Sequence, residues 1–460
     1  MNESALFIDD HDVAASNRLT RMIHPGRKHP KPVIPADRPW EHTLLIGGTV
    51  RKEGDLYRMW YESYSKATQY INLYAESDDG LNWRKPTLGM FPDFDGNLDN
   101  NIYLNRVSMR SAERAPQMVS QDHNQNVLHT PHLGPGKKYT MLAYEYARTT
   151  YGPYDGYYVT YSDDGIHWTN GPREPVIPGH ADVGWFTYDE HDGMFRGIVK
   201  TFLNIRGYAR RSVLWTESKD ALDWSMPRPA FIPDEADDAW GEGDPDRYTQ
   251  FYGMPIFRYG PVLIGFVQDF RSTDGNVSTE GHMDVQLVTS RDGRTWERTG
   301  DRTPVLPVGA EGDWDWGMTG IGNSFIENGD ELRAYYGGWN ATHGGTTFDG
   351  SAVAGALGMA TWQRDRLSGL QAGPVAGELR TTPRTIGPEL HLNADASGGS
   401  IAVGLHIDGR PVPGMGISDC VPITTDSLDH IVTWRGDVTL PEKSVEIVLQ
   451  LTNAEVFSLR

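Results

Sequence analysis

Along the last part of the chain, apolar and polar positions alternate one by one. Ile401, Val403, Leu405 and Ile407 fall on one face and run into Asp408-Gly409. Val445, Ile447, Leu449 and Leu451 repeat the pattern, with a shorter run at 431–434 between them. A period of two marks strands with one buried face, and Asp-Gly is a reversal between two such strands. Residues 373–460 are therefore predicted to form an antiparallel β-sandwich of their own. Upstream the runs are shorter and richer in aromatic residues. Residues 56–61, 71–76, 139–144, 285–289 and 332–336 read as strands, bounded by Gly, Pro, Asn and Asp. The 3.6-residue period of an amphipathic helix is missing throughout, so the fold class predicted is all-β.

The upstream strands belong to a repeat. Ser77-Asp78-Asp79-Gly80-Leu81-Asn82-Trp83 recurs as Ser162-Asp163-Asp164-Gly165-Ile166-His167-Trp168, Ser218-Lys219-Asp220-Ala221-Leu222-Asp223-Trp224 and Ser290-Arg291-Asp292-Gly293-Arg294-Thr295-Trp296. The Asp side chain can bond the backbone two residues on and Gly accepts positive φ, so each copy is a tight turn between two strands. The Trp that follows is placed to pack against a neighbouring repeat. Pro-rich tags come with it: Pro32-Val33-Ile34-Pro35, Pro175-Val176-Ile177-Pro178, Pro304-Val305-Leu306-Pro307 and a looser Pro229 to Pro233. A fifth unit, from about 314 to 370, has a degenerate turn at Thr361 to Asp365, as terminal repeats do. Four-stranded units of this period predict a five-bladed β-propeller. Its blades are expected at about 40–88, to 172, to 228, to 302 and to 372. Residues 1–39 are a lead-in packing on it, the 373–460 sandwich follows, and 89–125 is an insertion loop.

Composition narrows the partners. The 460 residues carry a formal net charge of −20, which disfavours nucleic acid and anionic membranes and suits a small neutral carbohydrate. The 14 Trp and 21 Tyr exceed the needs of a core. No run of 18 apolar residues is present, and residues 1–10 show no leader. Cys420 is the single cysteine, so no intramolecular disulfide can form. A cytoplasmic protein without metal or cofactor is the expectation, and a homo-oligomer is left open.

In a propeller the innermost strands line a central channel, so the residues that begin those strands are the ones to examine. They include Trp40-Glu41-His42, His129-Thr130-Pro131-His132, Asp182 to Trp185, Asp244-Pro245-Asp246 with Gln250-Phe251-Tyr252, and Asp313-Trp314-Asp315-Trp316. Carboxylates from several blades around one pocket suit glycoside hydrolysis, in which one acid protonates the leaving oxygen and another acts as base or nucleophile. Asp182, Asp315 and Asp246, with Glu41 at the edge, are the predicted catalytic set. His129, Arg110, Trp185, Gln250, Tyr252, Trp316, Trp339 and His343 are the predicted substrate-binding residues. Glu62 and Glu145 end equivalent second strands and read as structural. His123, His129 and His132 admit a three-His metal site, with sugar binding preferred.

The repeated turns, together with Gln250-Phe251-Tyr252-Gly253-Met254-Pro255, Trp314-Asp315-Trp316-Gly317-Met318 and Tyr335-Tyr336-Gly337-Gly338, resemble the five-bladed propeller superfamily of invertases, arabinanases and β-mannoside phosphorylases. The resemblance covers about 25–372, and the tail resembles the sandwich that invertase-like enzymes carry. It implies a glycoside hydrolase acting on a small furanoside (fructosyl, arabinosyl or galactofuranosyl). The chain departs from the invertase pattern at its acids. Residues 43–48 lack the blade-one Asp, Thr130 stands where blade two has Asp, Asp182 is the nearest match to the blade-three Glu, and Gln250 stands in place of the blade-four Asp. The alternatives are a phosphorylase, for which Arg106, Arg110, Arg210 and Arg211 could supply phosphate contacts, a lyase using His or Tyr, and a non-catalytic carbohydrate-binding propeller.

Overall fold

The computed structural model describes residues 4–65, 69–93, 95–104, 121–146, 155–275, 279–348 and 355–460. The chain is almost entirely β. Among the described residues, one short α-helix, His343–Phe348, and two 3-10 turns, Pro131–Leu133 and Ala236–Gly241, are the exceptions. None of the described helices is long and apolar enough to cross a membrane.

Five times the chain builds a four-stranded antiparallel meander. The first runs Thr43–Glu53, Leu56–Ser65, Gln69–Ser77 and Trp83–Arg84. The second is Gln121–His129, Tyr139–Tyr146, Gly156–Ser162 and Thr169–Asn170. The third is Gly184–Asp189, Met194–Ile205, Tyr208–Ser218 and Arg228–Phe231. The fourth (Tyr248–Gly253, Val262–Ser272, Gly281–Ser290, Glu297–Arg298) joins the fifth through one parallel pairing, Met283 with Met318. The fifth takes Met318–Ile321, Glu331–Trp339 and Gly355–Gln363 from its own sequence and its last strand, Arg27–Lys28, from the start of the chain. The segment expected as an insertion loop contributes a strand as well, Ile102–Leu104 on Gln69–Ser77.

The repeated turn works through side-chain hydrogen bonds. In the first copy the backbone N–H groups of Leu81 and Asn82 donate to Asp79 Oδ1 at 2.7 and 2.8 Å, and Gly80 N–H donates to Ser77 Oγ at 2.9 Å. Those backbone donors hold the Asp79 carboxyl well below the usual carboxylate range. Gly80, Gly165 and Gly293 have φ between +74° and +79°, and Ala221 holds the same conformation at +63°. In two of the copies the turn carbonyl is taken by an aromatic residue of the meander before it. Trp60 Nε1 donates to Gly165 O at 2.7 Å, and Tyr335 Oη donates to Gly80 O at 2.8 Å. The second contact ties the fifth meander to the first.

Neighbouring meanders are also joined by hydrogen bonds, mostly through their first strands. Val127 N–H donates to Thr49 Oγ1 at 2.9 Å, linking the second meander to the first. Asn126 Nδ2 donates to Gly184 O at 3.0 Å, linking it to the third. Arg211 N–H donates to Gln250 Oε1 at 3.0 Å across to the fourth, and Asn323 N–H donates to Gly48 O at 3.1 Å from the fifth back to the first. With the Met283–Met318 pairing between the fourth and the fifth, the circuit passes through all five.

The remaining strands form two sheets over one apolar core that includes Ile401, Val403, Leu405, Leu449, Leu451 and Val456. The segment expected as a lead-in is divided. Ala5–Leu6, Val13–Asn17 and Thr20–Ile23 pair into these C-terminal sheets, on Ala454–Leu459, Gly377–Thr381 and Ser368–Ala372 respectively. Arg27–Lys28 goes to the fifth meander, and Ile34 adds a bridge to Leu357 there.

Candidate active site

All five meanders contribute walls to one cavity of about 260 Å³, near the low end of the roughly 300–1,000 Å³ common for small-molecule sites. Tyr64 and Tyr70 come from the first meander, His123 from the second, Asp182 and Trp185 from the third, Tyr252 and Gln268 from the fourth, and Trp339 and His343 from the fifth. Aromatic faces with a few convergent polar groups are the surface that a carbohydrate ring requires.

Asp182 immediately precedes the first strand of its meander, and its Oδ1 lies 2.7 Å from Lys200 Nζ. Lys200 interrupts the apolar run of Met194–Ile205, is nearly fully buried, and sits 4.1 Å from the centroid of the Tyr252 ring. An ammonium so placed favours both an ionised Asp182 and an oriented Tyr252. His343 opens the short helix. Its Nδ1 is 2.7 Å from Thr279 O and its Nε2 is 3.1 Å from Tyr252 Oη. A carbonyl only accepts, so Nδ1 carries the proton, and Nε2 accepts from the tyrosine hydroxyl. Burial, aided by the charge of Arg211, holds His343 down at about 4, which matches a neutral ring.

Another part of the wall is formed by His123, with Glu62 buried behind it. His123 Nδ1 lies 2.8 Å from Glu62 Oε2, and Asn124 N–H donates to Glu62 Oε1. Tyr70 stacks on the imidazole at 4.0 Å between centroids. Here the strand abandons its ladder: the register shifts between His123 and Asn126, and Asn124 takes φ +57°. Its Oδ1 then accepts from Gly184 N–H at 2.8 Å, which locks the bulge to the third meander. Burial, followed by the charges of Asp182 and Glu62, raises the Tyr70 hydroxyl well above its ordinary range. Tyr70 thus feels both acids of the site.

Three other cavities are larger and differ in kind. Those of about 360 and 530 Å³ lie against the C-terminal sheets, around Asp365 and His391 and around Arg366 and Glu455. The third, about 340 Å³, holds His129, Arg51, Asp189 and Arg258, with Arg258 holding Asp189 at 2.6 Å.

Of the residues singled out from sequence, Asp182, Trp185, Tyr252, Trp339 and His343 meet in the 260 Å³ cavity. Gln250 is fully buried one layer behind, accepting from the Arg211 guanidinium at 3.1 Å. The expected convergence of four acids is not found among the described residues. Asp315 is buried between Lys28 Nζ at 2.7 Å and Tyr336 Oη at 2.9 Å. Glu41 is buried against Lys85 Nζ at 2.6 Å and Tyr61 Oη at 2.8 Å. Asp246 is exposed in the turn before Tyr248–Gly253. Trp316 packs on His282 rather than on the cavity, and Arg110 lies outside the described residues. His129 belongs to the 340 Å³ cavity and His132 stacks on Tyr188 at 4.2 Å, so the three histidines weighed as a metal site are dispersed.

Lys200, Tyr64, Tyr70 and Gln268 were not among the candidates, and Glu62 was taken as structural. A lysine inside the apolar run Ile198-Val199-Lys200 is the signal that could have marked the first.

No protein-family model matches the chain, and no curated protein matches it. Among solved structures, it is similar to an N-acetylgalactosamine deacetylase from F. plautii in complex with blood group B trisaccharide, at 13% identity over 76% of this chain and 97% of that one, TM-score 0.49. It is also similar to a thermostable family-43 glycoside hydrolase, at 13% identity, 72% and 94% coverage and TM-score 0.48. A third is the catalytic domain of the Coprinopsis cinerea GH62 alpha-L-arabinofuranosidase, at 11%, 76% and 98%, TM-score 0.42. No residue role is carried over from them.

Proposed function

We propose that the five meanders are the blades of a β-propeller spanning about 40–363 and closed by Arg27–Lys28, and that the cavity at their centre is the active site of a glycoside hydrolase. The strands from Ser368 onward, with the N-terminal strands before residue 24, form an accessory β-sandwich. The circuit of contacts between neighbouring meanders supports the ring. The observation that carries the function is Asp182, an acid half-exposed to an aromatic-walled cavity and held by a buried lysine. It is suited to take a proton from the water that attacks an anomeric carbon. A neutral sugar of one or two rings fits the cavity, and furanosides of fructose, arabinose and galactose are the first to try. Phosphorolysis is less well supported, because Lys200 and Arg211 already carry Asp182 and Gln250 as partners.

The test is release of 4-nitrophenol from a panel of 4-nitrophenyl furanosides and pyranosides by wild-type protein and Asp182→Asn. Turnover that falls on the order of a hundredfold or more in the variant supports the assignment. A variant as active as wild type refutes it.

A further inference from the structure

Hydrolysis of a glycoside at neutral pH needs two proton-handling groups, one for water and one for the leaving oxygen. Among the described residues lining the cavity, Asp182 is the one carboxylate. His343 is unsuited to the second task. Both its nitrogens are engaged, Nδ1 by Thr279 O and Nε2 by Tyr252 Oη, and burial keeps it neutral down to about pH 4. The tyrosine hydroxyls are weak acids, and Tyr70 is pushed further from acidity.

His123 is different. Among the described residues, its Nδ1 is the nitrogen in use, toward Glu62 Oε2 at 2.8 Å. Glu62 is fully buried, and its other oxygen accepts from Asn124 N–H. A buried carboxylate on Nδ1 fixes the tautomer and ring angle and stabilises the imidazolium that forms when Nε2 holds a proton. The local backbone is built for this placement. The bulge between His123 and Asn126, with Asn124 at φ +57° and its side chain tied to Gly184, turns the imidazole into the cavity wall. Left-handed backbone at a non-glycine residue persists where the surroundings enforce it, and such places gather at working sites. Tyr70 closes the ring face at 4.0 Å.

We infer that His123 is the general acid of this pocket, with Glu62 its positioning partner, so that the catalytic pair is a histidine and Asp182 rather than two carboxylates. This rests on the glycosidase reading above. In the step, Nε2–H of the imidazolium passes its proton to the glycosidic oxygen as the bond from that oxygen to the anomeric carbon breaks. The bonding electrons stay on the departing oxygen, which leaves as a hydroxyl. Asp182 takes a proton from the attacking water as its oxygen bonds to the anomeric carbon. Solvent then reprotonates the imidazole and takes the proton from Asp182, and the sum is addition of one water. Besides Glu62, the charged and titratable groups among the described residues around the imidazole are Tyr70, which stacks on it, and Tyr64, Asp182, Tyr252 and His343, which line the same cavity.

The experiment compares wild type, His123→Gln, Glu62→Gln and Glu62→Asp on two aryl glycosides of the sugar that wild type accepts, one with a 2,4-dinitrophenyl and one with a phenyl leaving group. Phenol needs protonation to depart, and dinitrophenolate does not. His123→Gln is expected to lose on the order of 10²–10⁴ in kcat/KM on the phenyl glycoside, to lose far less on the dinitrophenyl glycoside, and to lose the alkaline limb of the pH–rate profile. Glu62→Gln should lower kcat on the phenyl glycoside with KM little changed, and Glu62→Asp should restore part of the loss. Equal losses of His123→Gln on both substrates, or none on the phenyl glycoside, overturn the proposal alone. Wild-type protein that cleaves neither glycoside for any sugar tried overturns the reading beneath it.

Discussion

Lys200 Nζ and Asp182 Oδ1 meet at 2.7 Å, and the two residues play unequal parts. The lysine is almost wholly buried, whereas the carboxylate keeps an open edge toward the cavity. Exchanging Lys200 for Met removes the ammonium bonded to Asp182 and the cation over Tyr252. The variant should unfold more easily by roughly 1–3 kcal/mol, the cost of stranding a buried polar group, and lose most turnover. Urea unfolding with parallel assays checks both, and a Lys200→Met protein of wild-type activity would remove the lysine from the account.

His343 gives the site an acid limit. Its folded value is depressed to about 4, below the roughly 6.5 of a free imidazole. The folded state therefore binds the proton less readily than the unfolded chain. The stabilisation is fully present above about pH 6.5 and fades as pH falls toward 4. Protonation would also turn Nε2 into a donor facing the Tyr252 hydroxyl. Replacing His343 with Asn should flatten the fall in melting temperature between pH 6.5 and 4. An equally steep fall in the variant contradicts the assignment.

Asp269 and Asp284 pair directly across neighbouring strands and are both buried, with Arg271 Nε 3.3 Å from Asp269. Burial raises both carboxyls, and for Asp269 the charge of Asp284 adds to it. The folded state holds its protons more tightly than the unfolded chain. Its benefit is present below about pH 4, the ordinary carboxylate value, and is lost as pH rises through the elevated folded values. Asp284→Asn should accordingly raise the melting temperature at pH 8 and change it little at pH 4. Destabilisation at pH 8 would show that the pair's ionised form is the one the fold needs.

Much of the fold was legible in the sequence because its signals are local. A Ser-x-Asp-Gly turn needs only its own seven residues, and alternation along 401–407 marks a strand without knowledge of its neighbours. The all-β class follows from these. The site was legible only in part, because burial of an acid depends on cations far away in sequence. Glu41 is neutralised by Lys85, and Asp315 by Lys28 from a strand at the other end of the chain. His123 and His129 share one strand, and six residues at about 3.3 Å each separate them by roughly 20 Å. One lines the candidate site and the other a different cavity. The bulge that presents His123 has no sequence signature beyond Asn124.

The turn itself can be tested at Gly80. A Cβ there would fall 2.4 Å from Tyr335 Oη, at φ +76°. It would displace the hydroxyl that bonds Gly80 O and ties the fifth meander to the first. Gly80→Ala should cost about 1–3 kcal/mol, measured by chemical denaturation. A neutral result would mean that this contact does not help to close the ring.

The most direct measurement is azide rescue of Asp182→Ala on the aryl glycoside that wild type turns over. Removal of the carboxylate is expected to cost on the order of a hundredfold or more. Azide, which needs no base, should then restore aglycone release and yield a glycosyl azide of inverted anomeric configuration. An Asp182→Ala protein that hydrolyses at the wild-type rate, or an azide product that retains the configuration of the substrate, would contradict the role assigned to Asp182.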